Sequence, residues 1–277
     1  MLVPSKRLTP GPSVGKFSGL HRPGPYNFSV RRVSAFCKLW TWCITGRMEG
    51  AALSNKPMKL LCITDLHSSA TALAGILAEA GPVDLILLGG DITSFGTPEE
   101  AASLVGQAQA RGVPVLAVAG NCDSPRIEAC LSQMGVGLHG RGVMHGVVGF
   151  QGLSASPPWR SHMYCLEEGQ LLQALQAGYE QIAHAHRHVV LAHAPPRDGR
   201  LDRTFLGQHV GSTALRQFIE KHQPDLVVCG HVHEARGVEL LGRTTVVNCG
   251  AASTGRYALV QIDPEREVPV SAELRKA

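Results

Sequence analysis

The sequence predicts an α/β fold with a mainly parallel, layered sheet. Short apolar runs of strand type alternate with segments of helical periodicity, and brief loops rich in glycine and proline join them. In addition, five of the apolar runs stop at Asp, His or Asn. Because ligands of open α/β sheets bind beyond the carboxyl ends of the strands, these residues predict a charged site at one edge of the sheet.

Strand and helix alternate regularly through the first half of this fold. After the first strand, Leu73 and Ile76 lie at helical spacing, and Gly81 is typical of a helix end. Thr97 and Ser124, each followed by proline, are typical of helix N-termini. The predicted elements are strand 60–64, helix 70–80, strand 83–88, helix 98–110, strand 113–119 and helix 125–134.

The second half begins with strands that are typical of a hairpin, followed by a loop that contains prolines. Leu171, Leu175 and Ile182 share one face of a long predicted helix. The predicted elements are hairpin strands within 143–152, a loop over 151–162, helix 166–185, strand 189–192, a long loop through 208, helix 212–222, strand 226–229, and short strands 244–248 and 257–262.

The charge of the chain is unevenly distributed. Of its 26 basic and 22 acidic residues, residues 1–57 hold nine basic residues and one acidic residue, so the remainder is mildly acidic. This balance argues against a broad nucleic-acid-binding face. With 277 residues, of which 44% are hydrophobic, the chain can bury a substantial core.

Residues 1–57 differ from the rest of the chain in composition and in periodicity. They are rich in Pro, Gly, Ser and Arg and lack periodicity over their first thirty positions, which predicts a disordered extension. Two alternatives remain open, namely a twin-arginine export signal and a translation start at Met48 or Met58. The predicted organisation is an N-terminal extension over 1–57, a catalytic domain over 58–264 and a C-terminal tail over 265–277.

The eight cysteines form neither a disulfide framework nor a structural zinc pattern. Cys62, Cys229 and Cys249 lie in apolar runs of strand type, where buried reduced thiols are expected. No apolar run reaches the roughly 18 residues needed to span a bilayer. We therefore expect a cytoplasmic protein without membrane contact, and the sequence leaves the oligomeric state open.

The polar residues at the five strand ends predict a metal centre. Carboxylates, imidazoles and amide oxygens without a thiolate suit Mn, Fe, Zn, Ni or Mg rather than a structural zinc. Seven such residues are too many for one ion, whereas two ions about 3.5 to 4 Å apart can share a carboxylate and hold a hydroxide for displacement at phosphorus. Neighbouring glycines would let the backbone approach the ions. The seven residues are Asp65, His67, Asp91, Asn121, His193, His231 and His233.

Over about residues 58–262 the chain resembles the calcineurin-like metallophosphoesterase family. The motifs that carry the resemblance are Asp65-Leu66-His67, Gly90-Asp91, Gly120-Asn121-Cys122-Asp123, His193 and Gly230-His231-Val232-His233. The resemblance implies a four-layer α/β/β/α sandwich with a binuclear site at the strand ends. The implied ligands of the first metal ion are Asp65, His67 and His233, those of the second are Asn121, His193 and His231, and Asp91 bridges the two ions.

Cys122 departs from the family pattern, in which most members have His. In the family this His, oriented by the acid that corresponds to Asp123, stabilises the transition state. A thiol has a reference pKa of about 8.5 and forms weak hydrogen bonds, so it is a poor general acid. The pattern with Cys resembles a bacterial and archaeal branch of small phosphodiesterases, which implies activity on diesters more than on alkyl monoesters. Asn121, Cys122 and Asp123 are the predicted catalytic residues.

Residues of the long loops are candidates for substrate contact. His162 and His209 are candidate replacements for the missing His as proton donor. Arg197 is a candidate for binding a substrate phosphate through paired hydrogen bonds, as are Arg200 and Arg203. A solvated loop position is the alternative for each of them.

Taken together, the residues and the resemblance predict a cytoplasmic phosphoesterase with two divalent metal ions, Mn foremost, that hydrolyses small phosphodiesters. Two other function classes remain. The first is a catalytically silent interaction scaffold, since the retromer subunit of this fold family resembles the enzymes. Against it, all seven ligand positions hold competent residues. The second is a nuclease, which the acidic body and the lack of an accessory domain disfavour.

Overall fold

Two mixed β-sheets form the centre of the protein. The computed structural model describes residues 56–160, 162–264 and 268–277, so residues 1–55, with most of the predicted extension, lie outside the described residues. The strands are β1 Met58–Ile63, β2 Leu85–Gly89, β3 Val115–Val118, β4 Gly142–His145, β5 Val148–Leu153, β6 Arg187–Ala192, β7 Leu226–Cys229, β8 Gly237–Leu241, β9 Thr244–Asn248, β10 Arg256–Ile262 and β11 Ser271–Lys276. The helices are α1 Ala70–Glu79, α2 Pro98–Gln109, α3 Pro125–Gln133, α4 Glu168–Ile182 and α5 Thr213–His222.

Both sheets combine parallel and antiparallel strands, with antiparallel pairing at one margin of the first sheet and at both margins of the second. The first has the order β11-β10-β1-β2-β3, and the second has the order β4-β5-β6-β7-β9-β8. β1, β2 and β3 run parallel, as do β5, β6, β7 and β9. Because the parallel strands of a sheet all end on the same side, each sheet presents several loops at one edge.

Within the described ranges, buried apolar side chains form three layers. Leu60 and Phe150 belong to the layer between the two sheets. Leu73 belongs to the layer between the first sheet and helices α1 to α3, and Leu175 and Phe218 belong to the layer between the second sheet and helices α4 and α5. Each such buried side chain stabilises the fold by about 1.5–3 kcal/mol. The four-layer α/β/β/α arrangement confirms the predicted fold class.

The helices begin where the sequence predicts. The side chains of Thr97 and Ser124 accept hydrogen bonds from the first-turn amides of α2 and α3, and Ser212 caps α5 in the same way. None of the helices in the described part of the chain has the length and apolarity needed to cross a bilayer.

The prediction of a C-terminal tail over 265–277 needs correction, because β11 lies within it. This strand pairs antiparallel with β10 from Arg256 to Gln261. Ala272 and Leu274 pack against the core between the sheets, while Glu273 points to solvent. Only two apolar residues alternate with charged ones in this edge strand, so its sequence signal is weak. Strand β8, at the edge of the second sheet, was likewise not predicted.

We expect Leu274→Asp to lower the free energy of unfolding by about 2 kcal/mol, because it places a charge against the apolar core. Urea unfolding followed by circular dichroism measures the change. Glu273→Gln, on the solvent side of the same strand, is the matched control and should shift stability by less than about 0.5 kcal/mol. Equal stabilities for the two variants would contradict the packing of β11.

Candidate metal centre

The seven predicted ligands lie at one edge of the two sheets, directly after five parallel strands. Asp65 and His67 follow β1, Asp91 follows β2, and Asn121 follows β3 in the first sheet. In the second sheet His193 follows β6, and His231 and His233 follow β7. Backbone hydrogen bonds tie these loops together, since the Asp65 amide donates to the Gly90 carbonyl and the Gly230 amide donates to the His193 carbonyl, each at 3.0 Å.

Several of these residues have left-handed backbone conformations. The φ angles are 57° at Asp65, 47° at His67, 46° at Asp91 and 67° at His231. Non-glycine residues rarely adopt positive φ, and each such residue costs of order 1–3 kcal/mol. Four strained residues in one cluster indicate that the fold holds the loops in place against this cost, as is typical of functional sites.

Glycines provide the space that the carboxylates occupy. A Cβ at Gly120 would collide with the backbone nitrogen and carboxylate of Asp91, and one at Gly230 would collide with Asp65 and Thr64. These glycines therefore accommodate the ligand side chains themselves. The sequence predicts that these glycines let the backbone approach the ions. In the structure they leave room for the carboxylates of Asp91 and Asp65.

Asp91 lies between two groups of ligands. Its Oδ1 atom is 3.4 Å from His193 Nε2, and its Oδ2 atom is 3.7 Å from His67 Nε2. The backbone amide of Cys122 donates a hydrogen bond of 2.7 Å to Oδ1. The carboxylate is 3% exposed and thus held in a fixed orientation, with one oxygen directed to each group.

The first group contains Asp65, His67 and His233. His233 Nε2 is 3.2 Å from Asp65 Oδ1 and 3.3 Å from His67 Nε2. The His231 amide also donates a bifurcated hydrogen bond to Asp65, 3.1 Å from each carboxylate oxygen. Burial alone would raise the pKa of Asp65, but the imidazoles of His233 and His193 outweigh it and the net shift is downward. The carboxylate therefore stays ionised and available to a cation.

The second group contains Asn121, His193 and His231. His193 Nδ1 is 3.1 Å from the Gly89 carbonyl oxygen, which only accepts, so Nδ1 carries the proton and the Nε2 lone pair points to Asn121 Oδ1 at 2.8 Å. The Asn121 amide nitrogen donates to sulfur atoms, which fixes Oδ1 on the His193 side. Two acceptors at this distance repel unless a cation or a proton lies between them.

The electrostatics of the second group also favour a cation. Burial would lower the pKa of His193, but Asp91 and Asp65 raise it above its ordinary value. His231 behaves differently, since burial and the neighbouring His193 lower its pKa to about 3. The ring is therefore neutral, with a lone pair on one of its two nitrogens, and its buried Nε2 atom has no hydrogen-bond partner among the described residues. A buried imidazole nitrogen of this kind fits a metal ligand.

Asp123 links two of the loops that carry predicted ligands. Its carboxylate accepts hydrogen bonds from the amides of Ile92, Thr93 and Gly120 and from the Thr93 hydroxyl, at 2.8–3.0 Å. These bonds join the loop that carries Asp91 to the loop that carries Asn121. With four donors on its two oxygens, this predicted catalytic residue has the contacts of a positioning residue.

Cys122 lies beside the first group. Its sulfur belongs to a cluster with His67 and Asp91 in which the ligand atoms all lie within 4.8 Å of one another. Burial, and then the charge of Asp91, raise the pKa of the Cys122 thiol far above its ordinary value. The side chain at this position is therefore neutral and faces the centre.

The three predicted substrate contacts have other surroundings. His209 Nδ1 is 2.7 Å from Asp202 Oδ1, and Arg197 lies 3.8 Å from Asp198 in a largely exposed ion pair. His162 is exposed and has a positive φ of 71°. Among the described residues, no hydrogen bond or ion pair joins these three side chains to the seven predicted ligands, so their roles remain predictions.

The structure adds contacts that were not predicted from the sequence. Met163 Sδ accepts from the Asn121 amide at 3.4 Å, and Trp159 lies edge-to-face against His231 with ring centroids 5.7 Å apart. Asn248 donates to the Val232 carbonyl at 2.9 Å and so holds the turn between the last two histidines. In the sequence, only its position at the start of the turn Asn248-Cys249-Gly250 indicates such a role.

Comparisons with known proteins find a family model and several relatives that match this chain. The family model for calcineurin-like phosphoesterases matches residues 58–235. The chain is similar to an uncharacterised protein of Methanocaldococcus jannaschii, with 27% identity over 199 residues that cover 70% of this chain and 88% of that protein. A UPF0046 protein of Caenorhabditis elegans is 28% identical over 220 residues, which cover 72% of this chain and 71% of that protein.

A solved structure, that of TT1561 from Thermus thermophilus, is similar with a TM-score of 0.65 and 18% identity, and the match covers 80% of this chain and 99% of that one. At this identity the likeness concerns the fold alone. It agrees with the four layers described above.

Proposed function

Because this chain belongs to the calcineurin-like phosphoesterase family, we propose that it hydrolyses small phosphodiesters with two divalent metal ions. The observation that carries the binuclear part is the position of Asp91. Its two oxygens face His193 on one side and His67 on the other. A carboxylate between two sets of nitrogen and oxygen ligands has the arrangement needed to bridge two ions.

In this proposal Asp65, His67 and His233 would hold the first ion, and Asn121, His193 and His231 would hold the second. When bound, such a pair supplies Lewis acidity for a phosphoryl oxygen and lowers the pKa of a bound water so that it acts as nucleophile. The mixed donor set, without thiolate, suits Mn, Fe, Zn, Ni or Mg, and we propose Mn²⁺ as the native metal.

Several residues of this chain fix the orientation of the proposed metal ligands. The Gly89 carbonyl fixes the tautomer of His193, and the Cys122 amide holds the Asp91 carboxylate. Asp123 keeps the loops of Asp91 and Asn121 at a constant separation through its four hydrogen bonds. A phosphate ester that binds over this cluster therefore meets groups that need little rearrangement.

The proposed preference for diesters rests on the resemblance that the motif with Cys122 carries, and the chemistry of the thiol adds a preference for acidic leaving groups. A thiol at this position is a weak hydrogen-bond donor and gives little help to a leaving alkoxide. Among the described residues, the only imidazoles that contact the cluster are the four predicted ligands. Esters whose leaving oxygen departs without protonation, such as esters of acidic phenols, are therefore the favoured substrates among diesters.

We also propose a cytoplasmic location. The six cysteines of the described residues are all free, which agrees with a reducing compartment. Small phosphate esters are the proposed partners, and nucleic acid is not among them.

The test is hydrolysis of paired 4-nitrophenyl monoesters and diesters by the full chain, stripped of metal and then resupplied with Mn, Ni, Zn or Mg. We expect turnover only with added metal, two ions bound per chain, and a higher kcat/KM for the diester. Preference for the monoester would contradict the proposed activity on diesters. A protein that binds no metal would contradict the proposed function as a whole.

A further inference from the structure

One loop of the second sheet is fixed in place by a predicted metal ligand. It comprises residues 156–160 and 162–165 in the described part of the chain, and a β-bridge between Ser156 and Cys165 closes its base. The Tyr164 amide donates to the Asn121 carbonyl at 2.9 Å, and the Asn121 side chain donates to Met163 sulfur at 3.4 Å. The position of this loop is therefore coupled to that of the metal centre.

The other arm of the loop places Trp159 against His231. The ring centroids are 5.7 Å apart and the rings are almost perpendicular, at 87°. The Arg160 guanidinium carbon lies 4.4 Å from the centroid of the indole ring. Trp159 nevertheless remains 38% exposed. Among the described residues, no carboxylate forms an ion pair with Arg160, so its contact with the indole serves to orient the ring.

We propose that Trp159, oriented by Arg160, forms a subsite that stacks on a flat ring in the organic part of the substrate ester. The inference rests on the proposed function, because it needs a phosphate bound at the neighbouring cluster. A phosphate held near His231 directs one of its ester groups towards the exposed part of the indole. Aromatic side chains stack on other flat rings whichever base or substituent these rings carry. An aryl group and a nucleobase are therefore both suited to this subsite.

A merely shielding role for Trp159 makes a different prediction. A side chain that only excludes water from His231 would affect all substrates to the same extent. A stacking subsite for the ester group that is retained on phosphorus favours only those substrates in which this retained group carries a flat ring. The ratio between matched substrates therefore separates the two roles, whatever the overall activity.

The experiment uses two pairs of 4-nitrophenyl diesters with the same leaving group, so that leaving-group acidity is constant. The first pair carries a benzyl or a cyclohexylmethyl group as the second ester. The second pair carries thymidine or the deoxyribose without its base, each esterified through the 5′ oxygen. The kcat/KM ratio within each pair is measured for the wild-type chain, Trp159→Ala and Trp159→Phe.

We expect the wild-type chain to favour the ring-bearing member of at least one pair by about 10-fold, which corresponds to about 1.4 kcal/mol. Trp159→Ala should reduce that ratio to near 1, and Trp159→Phe should retain most of it. The pair that responds shows whether an aryl group or a nucleobase is preferred. Leu240→Ala, which truncates an exposed apolar side chain on β8, is the control and should leave both ratios unchanged.

Wild-type ratios near 1 in both pairs, or a ratio that survives Trp159→Ala, would overturn the subsite. If the chain hydrolyses none of the diesters, the proposed function fails but the subsite is still decided by calorimetry with benzylphosphonate and cyclohexylmethylphosphonate. A 10-fold tighter binding of the benzyl compound that disappears in Trp159→Ala supports the subsite. Equal affinities overturn it.

Discussion

Asp91→Ala is expected to weaken metal binding and to remove most of the turnover together. The carboxylate faces both ligand groups at once, with Oδ1 3.4 Å from His193 Nε2 and Oδ2 3.7 Å from His67 Nε2, so its loss affects both proposed ions. Substitution of a residue that only orients a metal ligand typically lowers metal affinity or activity by 10–100-fold. Removal of a bridging ligand should therefore reduce kcat/KM by more than about 100-fold, and elemental analysis should find fewer than two ions per chain.

The matched control for this variant is Asp84→Asn at the opposite end of the same strand. Asp84 is exposed, precedes β2 and accepts a hydrogen bond from the Lys59 amide. It should retain two ions and full turnover. Circular dichroism would establish that both variants fold. If Asp91→Ala keeps wild-type turnover, the bridging role is wrong.

The sequence allowed the fold class to be predicted because the central strands are buried on both faces. Such strands are continuous apolar runs, and β2 is an example in which all residues from Leu85 to Gly89 are buried. A polar residue that ends a run of this kind is conspicuous, and this is how Asp65, Asp91 and His193 were found. The structure brings them together because the carboxyl ends of parallel strands share one edge.

Local patterns could not predict features that depend on distant residues. The conformation of the loop at Trp159 is set by its bonds to Asn121, about forty positions earlier in the chain, and its proline-containing sequence has no periodicity to reveal this. The hydrogen bonds of Asp123 likewise reach Ile92 and Thr93 on another loop. Strand β11 could not be predicted because it lies at a sheet edge, where only Ala272 and Leu274 pack on the core and the apolar pattern is short.

Cys122→His is expected to raise activity on alkyl phosphate monoesters. The backbone amide of residue 122, rather than its side chain, holds Asp91, so the substitution preserves that hydrogen bond. The side chain lies in a cluster with His67 and Asp91, where an imidazole would lie near a departing oxygen. General acid catalysis contributes about 10²–10⁴-fold. The gain here should be near the lower limit, because Asp123 already accepts four hydrogen bonds and cannot readily orient a new imidazole.

The measurement that separates this effect from a general change is the dependence on leaving group. Glycerol 2-phosphate needs protonation of its leaving alkoxide, whereas 4-nitrophenyl phosphate does not. Cys122→His should therefore increase kcat/KM by about 10²-fold for the first substrate and by less than about 3-fold for the second. Cys122→Ser, which supplies a small hydroxyl without an acidic proton, should change neither. An equal gain on both esters would show that the new imidazole acts through the metal ions, and would remove the physical basis for linking Cys122 to weak protonation of the leaving group.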